Sequence, residues 1–248
     1  MKSIAINKED YNLLNQYIGQ GKLNASLVFF GIEPGMAGTG WTDTLKFLKE
    51  EPHYEIGSGF LLKESYSKPT SSDFVIFTTM LYLALKNKDD KWVKDLDTLE
   101  KVEINKYINM SVQEKDVCLV NLRPLPRPTQ DTWVYPDIDV KGYNRLWNFM
   151  LKGHHSDSSK EVRLSVFKQF FDERTGLVIG IGEKENKKKF FETIYPDIIF
   201  HKSILDNHTI YFDPIRKIIL SDYFNNRNGI KVAGLNDLYK FITSRKFI

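Results

Sequence analysis

Three short segments of this sequence carry residues whose types and spacing suit chemistry. The first, Gly31-Ile32-Glu33-Pro34-Gly35-Met36-Ala37-Gly38-Thr39-Gly40-Trp41, holds four glycines, one proline and a single ionisable group, Glu33. Glycines let a backbone approach a ligand closely, and Pro34 fixes the chain just after the carboxylate. A carboxylate held in this way can polarise a water or stabilise a developing cation. The same residues also fit a tight turn in which Glu33 caps Gly35 or a following helix.

The second segment, Asn121-Leu122-Arg123-Pro124-Leu125-Pro126-Arg127-Pro128, sets one amide and two arginines among three prolines. An asparagine amide offers a donor and an acceptor together, which suits the edge of a pyrimidine. Arginines on a stiffened loop meet phosphates at a lower entropic cost. A rigid connector with solvated arginines fits equally. The third segment, Ser221-Asp222-Tyr223-Phe224-Asn225-Asn226-Arg227-Asn228-Gly229, mixes aromatic, amide and basic groups. Such a mixture grips a nucleic-acid strand or forms an ordinary polar turn. Lys187-Lys188-Lys189, near Lys184, reads as a solvated helix face, with phosphate contact the lesser alternative. His154-His155, His201 and His208 have no recognised metal-ligand spacing, and nucleophile-elbow and phosphate-loop patterns are absent.

The elements that must position these segments follow from hydrophobic pattern. Ser26–Phe30, Val117–Val120 and Leu177–Ile181 are short continuous apolar runs, predicted as strands buried on both faces. The first two run directly into the first two loops. Ile198–Phe200, Thr209–Phe212 and Lys217–Leu220 are further predicted strands, the last leading into the third segment. Helical spacing covers Lys8–Ile18, with Asn7 as N-cap, then Phe74–Lys86, Tyr143–Leu151, Lys160–Phe171, Glu185–Ile194 and Gly234–Arg245. A further surface helix is expected between Asn87 and Lys115, and a polar turn from His154 to Ser159. Strands alternating with helices predict an α/β fold: a three-layer sandwich around a central, largely parallel sheet. In such sheets ligands bind beyond the carboxyl ends of the strands, where all three segments fall.

Composition bounds the rest. A chain of 248 residues with 42% hydrophobic and 13% aromatic content is read as one domain, 1–248, with a packed core. The single cysteine, Cys118, excludes an internal disulfide and any cysteine cluster for a metal, and fits a reducing cytoplasm. The opening residues lack the apolar core of a signal peptide, and no run approaches the roughly 20 apolar residues of a membrane span. A formal net charge of +3 neither demands nor excludes a polyanionic partner.

The order of the landmarks resembles the uracil-DNA glycosylase superfamily. Phe29-Phe30-Gly31-Ile32-Glu33-Pro34-Gly35 with Ala37-Gly38-Thr39-Gly40-Trp41 is similar to its first active-site motif, combining features of the mismatch-specific and thermophilic-type branches. Val120-Asn121-Leu122-Arg123-Pro124 with Arg127-Pro128 resembles the second landmark, and Leu177–Gly182 with its polar helix a later core strand. The resemblance implies a uracil-DNA glycosylase-like fold and a monofunctional, base-flipping enzyme without metal or cofactor. It places Glu33 at the position that activates water and stabilises the sugar cation. Gly31, Ile32, Pro34, Gly35 and Trp41 then wall the base pocket, Trp41 stacks on the base and Asn121 reads its edge. The third landmark departs: Asp222-Tyr223-Phe224 stands where the family has a histidine-proline-serine or related tripeptide. Tyr223 is assigned there as a hydrogen-bond donor to the base, with Arg227, Arg123 and Arg127 on the DNA backbone.

The expected function is therefore release of uracil or a modified pyrimidine from DNA by a cytoplasmic monomer, in base-excision repair. The altered third landmark also admits a hypermodified phage base, in antiviral defence. The alternatives are a non-catalytic nucleic-acid-binding protein that retains the fold, and a hydrolase or binder of free nucleosides or nucleotides.

Overall fold

The computed structural model describes residues 4–32, 73–94, 116–127, 132–151, 157–224 and 229–248. The strands are β1 (Gly19–Gly21), β2 (Leu27–Gly31), β3 (Val117–Asn121), β4 (Leu177–Ile181), β5 (His201–Leu205), β6 (His208–Asp213) and β7 (Ile218–Ser221). The helices are α1 (Lys8–Gln16), α2 (Asp73–Asn87), α3 (Lys91–Lys94), α4 (Val140–Leu146), α5 (Ser158–Glu173), α6 (Lys184–Ile194) and α7 (Val232–Ser244). The strands form one sheet in the order β1-β3-β2-β4-β7-β6-β5.

The central strands are apolar at nearly every position because both faces of the sheet are covered. Side chains of successive strand residues point to opposite faces. Val28, Phe30, Val178 and Leu220 enter a core with Leu14 of α1, Phe167 and Phe171 of α5, and Phe190 and Phe191 of α6. Phe29, Ile179 and Ile219 enter the other core, with Phe77 and Leu81 of α2, Val93 of α3 and Leu235 and Leu238 of α7. Phe30 is the hub of the first core, its ring centroid 5.5, 5.6, 5.4 and 5.7 Å from those of Phe167, Phe171, Phe190 and Phe191. Such tilted aromatic pairs contribute about 0.5–1.5 kcal/mol each beyond burial.

The centre of the sheet is parallel, with β2 paired to β3 and β4, and β4 to β7. The outer pairings, β1 with β3, β6 with β7 and β5 with β6, are antiparallel, so the sheet is mixed. For β5–β6 and β6–β7 tight turns are the reason, since connections this short cannot carry a parallel crossover. Asp206 and Asn207, at φ 44° and 63°, make a two-residue turn between β5 and β6, the hairpin geometry that Asn and Asp tolerate. Between β6 and β7, Asp213 Oδ1 accepts from Arg216 N–H at 2.7 Å and Lys217 takes φ 50°. The strand expected at Ile198–Phe200 is not formed, and β5 covers only His201–Leu205. Ile198 N–H instead donates to Tyr195 O in the turn that closes α6.

One buried cation joins three parts of the fold. Arg163 of α5 is 0% exposed. Its Nε donates to Leu122 O at 2.8 Å, its Nη1 to Leu14 O, Asn15 O and Tyr17 O at 3.2, 3.1 and 2.9 Å, and its Nη2 to Asn121 O. These carbonyls belong to the last turn of α1 and the exit of β3, where neither helix nor ladder supplies donors. Burial pulls the guanidinium pKa down to about 9, which leaves it charged at neutral pH. Arg163→Met is expected to lose at least about 1–3 kcal/mol, the cost of leaving a buried carbonyl without a donor. Urea denaturation checks this, and a loss below 1 kcal/mol contradicts it.

Candidate functional site

β2 and β4 lie side by side and parallel, yet the chain leaves them in opposite directions, from β2 towards β3 and from β4 towards the β5–β7 hairpins. Open sheets of this kind bind ligands beyond the carboxyl ends of their strands, at such a reversal. Gly31 and Ile32 leave β2 there, Asn121 to Arg123 leave β3, Gly182 and Glu183 leave β4, and Asp222 and Tyr223 leave β7.

Two glycines allow side chains from neighbouring strands to close on the backbone. A Cβ at Gly31 would fall 2.6 Å from Asn121 Oδ1, so the half-buried amide of Asn121 lies against the end of β2. Pairing continues past the strands, with Leu122 N–H donating to Gly31 O at 3.3 Å and Arg123 N–H to Ile32 O at 2.6 Å. Ile32 itself is buried. At Gly182, φ is +74° and a Cβ would meet the Tyr223 ring at 2.5 Å. Only glycine fits both the backbone and the ring there. Tyr223 is 39% exposed, which presents aromatic surface at the end of β4.

Behind these groups runs a charged network. Glu183 takes a left-handed conformation at φ 44°, an uncommon one for a residue with a side chain. Its carboxylate is held by Arg123 Nη2, at 2.8 and 3.0 Å from the two oxygens, and by Asn186 Nδ2 at 2.9 Å. Asn186 also donates to Trp147 O at 3.0 Å and accepts from Phe149 N–H at 2.7 Å, tying the segment after α4 to α6. Lys187 is 0% exposed, with Nζ donating to Ile181 O at 2.8 Å and Gly182 O at 2.6 Å and lying 5.4 Å above the Phe30 ring. Gly180 makes room for it, since a Cβ there would come 3.1 Å from Lys187 Cδ. Burial pulls the Lys187 pKa down to about 7, against the opposing effect of the Glu183 carboxylate.

The expectation of a solvated lysine face is therefore corrected. Lys187 is inside the core, Lys184 Nζ binds Thr209 O and Asp222, and Lys188 and Lys189 pair with Glu192. The signal was present in the spacing: Lys187, Phe190, Phe191 and Ile194 follow the i, i+3, i+4, i+7 rule of a buried stripe. Glu183, too, was missed, because its role comes from a left-handed turn and a partner 60 residues away.

Asn121, Gly31, Ile32 and Tyr223 all fall at the carboxyl edge of the sheet. Arg123 and Arg127, read from sequence as phosphate contacts, are only 8% and 6% exposed. Arg123 is engaged by Glu183. Arg127 donates to Asn144 Oδ1 at 2.7 Å and stacks over Trp133 at 4.7 Å and Tyr143 at 5.5 Å. In this structure both guanidinium groups brace loops. Glu33, Pro34, Gly35, Trp41 and Arg227 lie outside the described residues.

A separate cavity of about 560 Å³ opens between α1 and α4, bordered by Ile6, Tyr11, Asp137, Tyr143, Arg145 and Asp157. Among the described residues, no group of three or more His, Cys, Asp or Glu side chains is placed to hold a metal ion. No helix among them is long and apolar enough to cross a membrane. Comparison of the chain with protein-family models, curated proteins and solved structures gives no match.

The buried lysine has a measurable consequence. Its pKa is about 7 when folded, against an ordinary value of 10.5. Between those values the unfolded chain binds more protons than the folded one, so stability rises with pH. Relative to Lys187→Met, the wild type is expected to gain stability from pH 7 to pH 10, with a slope of at most about 1.4 kcal/mol per pH unit. Parallel denaturation profiles for the two proteins across that range contradict the assignment.

Proposed function

We propose that this chain is a monofunctional DNA glycosylase that hydrolyses the N-glycosidic bond of a pyrimidine turned out of the DNA stack. The observation that carries the reading is the convergence of Gly31–Ile32, Asn121–Arg123 and Ser221–Tyr223 at one edge of the sheet, around the reversal between β2 and β4. Those are the segments whose residue types suit recognition of a base.

Turning a base out costs a few kcal/mol, which contacts in the receiving site offset. In this reading the Asn121 amide pairs with the base edge as donor and acceptor, and the Tyr223 ring adds stacking surface. Glu33, the residue after Ile32, supplies the carboxylate. As the bond from C1′ to the base nitrogen breaks, its electron pair leaves with the base and the sugar gains cationic character. Glu33 stabilises that charge and takes a proton from the water whose oxygen bonds to C1′. Such a carboxylate acts more strongly on the transition state than on the ground state. A substrate in the class of uracil or a modified pyrimidine, including a hypermodified phage base, and a role in repair or antiviral defence, belong to the same proposal.

The test is mass spectrometry of bases released from DNAs carrying uracil, mismatches or hypermodified cytosines. Release by the wild type is expected, with a loss of at least about 100-fold in Glu33→Ala at unchanged thermal stability. Salt-dependent DNA binding without release from any substrate selects the non-catalytic alternative. Release from free nucleosides alone moves the substrate away from DNA.

A further inference from the structure

The cavity of about 560 Å³ between α1 and α4 has a volume in the range of sites that hold drug-sized ligands. Its floor is apolar: Ile6 and Leu146 are buried, and the half-buried Ile138 lies with them beside the rings of Tyr11 and Tyr143. Its rim is charged, with Lys8 and Arg145 as exposed cations and Asp137 and Asp157 as exposed carboxylates. Charges of both signs around an apolar floor complement a ligand that is apolar in its body and zwitterionic at its ends.

The walls are held in place by contacts within the protein. Tyr143 Oη accepts from Leu125 N–H at 3.2 Å, and its ring packs on Trp133 at 5.0 Å and against the Arg127 guanidinium at 5.5 Å. On α1, Asn7 Oδ1 accepts from Asp10 N–H at 2.8 Å, which fixes the turn that carries Lys8 and Tyr11. Asp157 caps α5, its Oδ1 accepting from Lys160 N–H at 2.8 Å. A carboxylate offers about four acceptor positions, so this cap leaves Asp157 able to receive another donor. Burial raises the pKa of the Tyr11 phenol, and the Asp157 charge acts in the same direction, so Tyr11 is a neutral hydroxyl at neutral pH. A site formed in advance loses less binding energy to ordering when a ligand enters.

We propose that this cavity binds a short peptide with apolar side chains and free termini. The side chains lie on the floor of Ile6, Ile138 and Leu146, the ammonium meets Asp137 and Asp157, and the carboxylate meets Arg145 and Lys8. Arginine suits the carboxylate because its planar fork matches the two oxygens. The volume favours a peptide over a single amino acid, which would leave part of the apolar floor uncovered. A nucleic-acid strand fits less well, because Asp137 and Asp157 would face its phosphates. Peptide binding here is independent of base release at the carboxyl edge of the sheet.

Isothermal titration calorimetry of the full chain with leucyl-phenylalanine tests the proposal. The dipeptide is expected to bind, and its N-acetylated and C-amidated forms to bind about 5-fold more weakly, the scale of one partly exposed ion pair. Leucine alone is expected to bind at least about 10-fold more weakly, since it leaves an aromatic side chain's worth of floor unburied. Asp137→Asn is expected to weaken the free dipeptide by about 3-fold or more and to leave the acetylated form unchanged. Arg145→Gln is expected to do the same for the free and amidated forms. The blocked peptides test the wild type directly, so the outcome does not hang on how either variant folds. No binding of the dipeptide, equal binding of its free and blocked forms, or leucine binding as tightly as the dipeptide overturns the assignment. So do folded variants that treat free and blocked peptides as the wild type does.

Discussion

Backbone carbonyls that turn away from a sheet inside a packed core must find donors, and in this protein buried cations supply them. Arg163 collects the carbonyls of Leu14, Asn15, Tyr17, Asn121 and Leu122, and Lys187 those of Ile181 and Gly182. A buried polar group left unsatisfied costs about 1–3 kcal/mol, so loops at the carboxyl edge depend on these two side chains. Their aromatic surroundings, Phe30 beneath Lys187 and Phe167 beside Arg163, give each cation polarisable contact where water is excluded.

The carboxyl edge of the sheet takes its arrangement from that constraint. With the carbonyls of Ile181 and Gly182 fixed, Gly182 adopts its left-handed turn and Tyr223 closes on it. Glu183 is then delivered to Arg123, which braces the loop from Asn121. Rigid loops of this kind hold recognition groups without a further ordering cost on binding. Arg123 and Arg127 are themselves internal, at 8% and 6% exposure, and spend their guanidinium groups on protein partners. The buried Arg163 guanidinium places a positive charge beside the exit of β3, a local feature that the overall balance of +3 does not reveal.

Much of the framework was legible because period and length are strong signals. Leu177–Ile181 is a strand with the bounds read from its apolar run, and Val117–Val120 extends by only Asn121. Asn7 caps α1 as its side chain allows, accepting from Asp10 N–H at 2.8 Å. The mixed sheet was less legible, because strand direction is set by turns such as Asp206–Asn207 and not by the apolar pattern itself. The site was legible as loops but not as partners. Nothing in Lys184-Glu185-Asn186-Lys187 announces which lysine turns inward until the stripe of Phe190, Phe191 and Ile194 is taken into account. Nor does the separation of His208 from Asp222 announce a contact, which exists only because β6 folds back along β7.

The central claim, that the edge where β2 and β4 diverge receives a nucleobase, is tested most directly by amide hydrogen exchange with and without base-modified DNA. Slowed exchange is expected at residues 29–32, 119–123, 181–183 and 221–224, with no change around the cavity bordered by Ile6, Tyr11 and Asp157. Protection at that cavity instead, or an exchange pattern that DNA leaves untouched, contradicts the account.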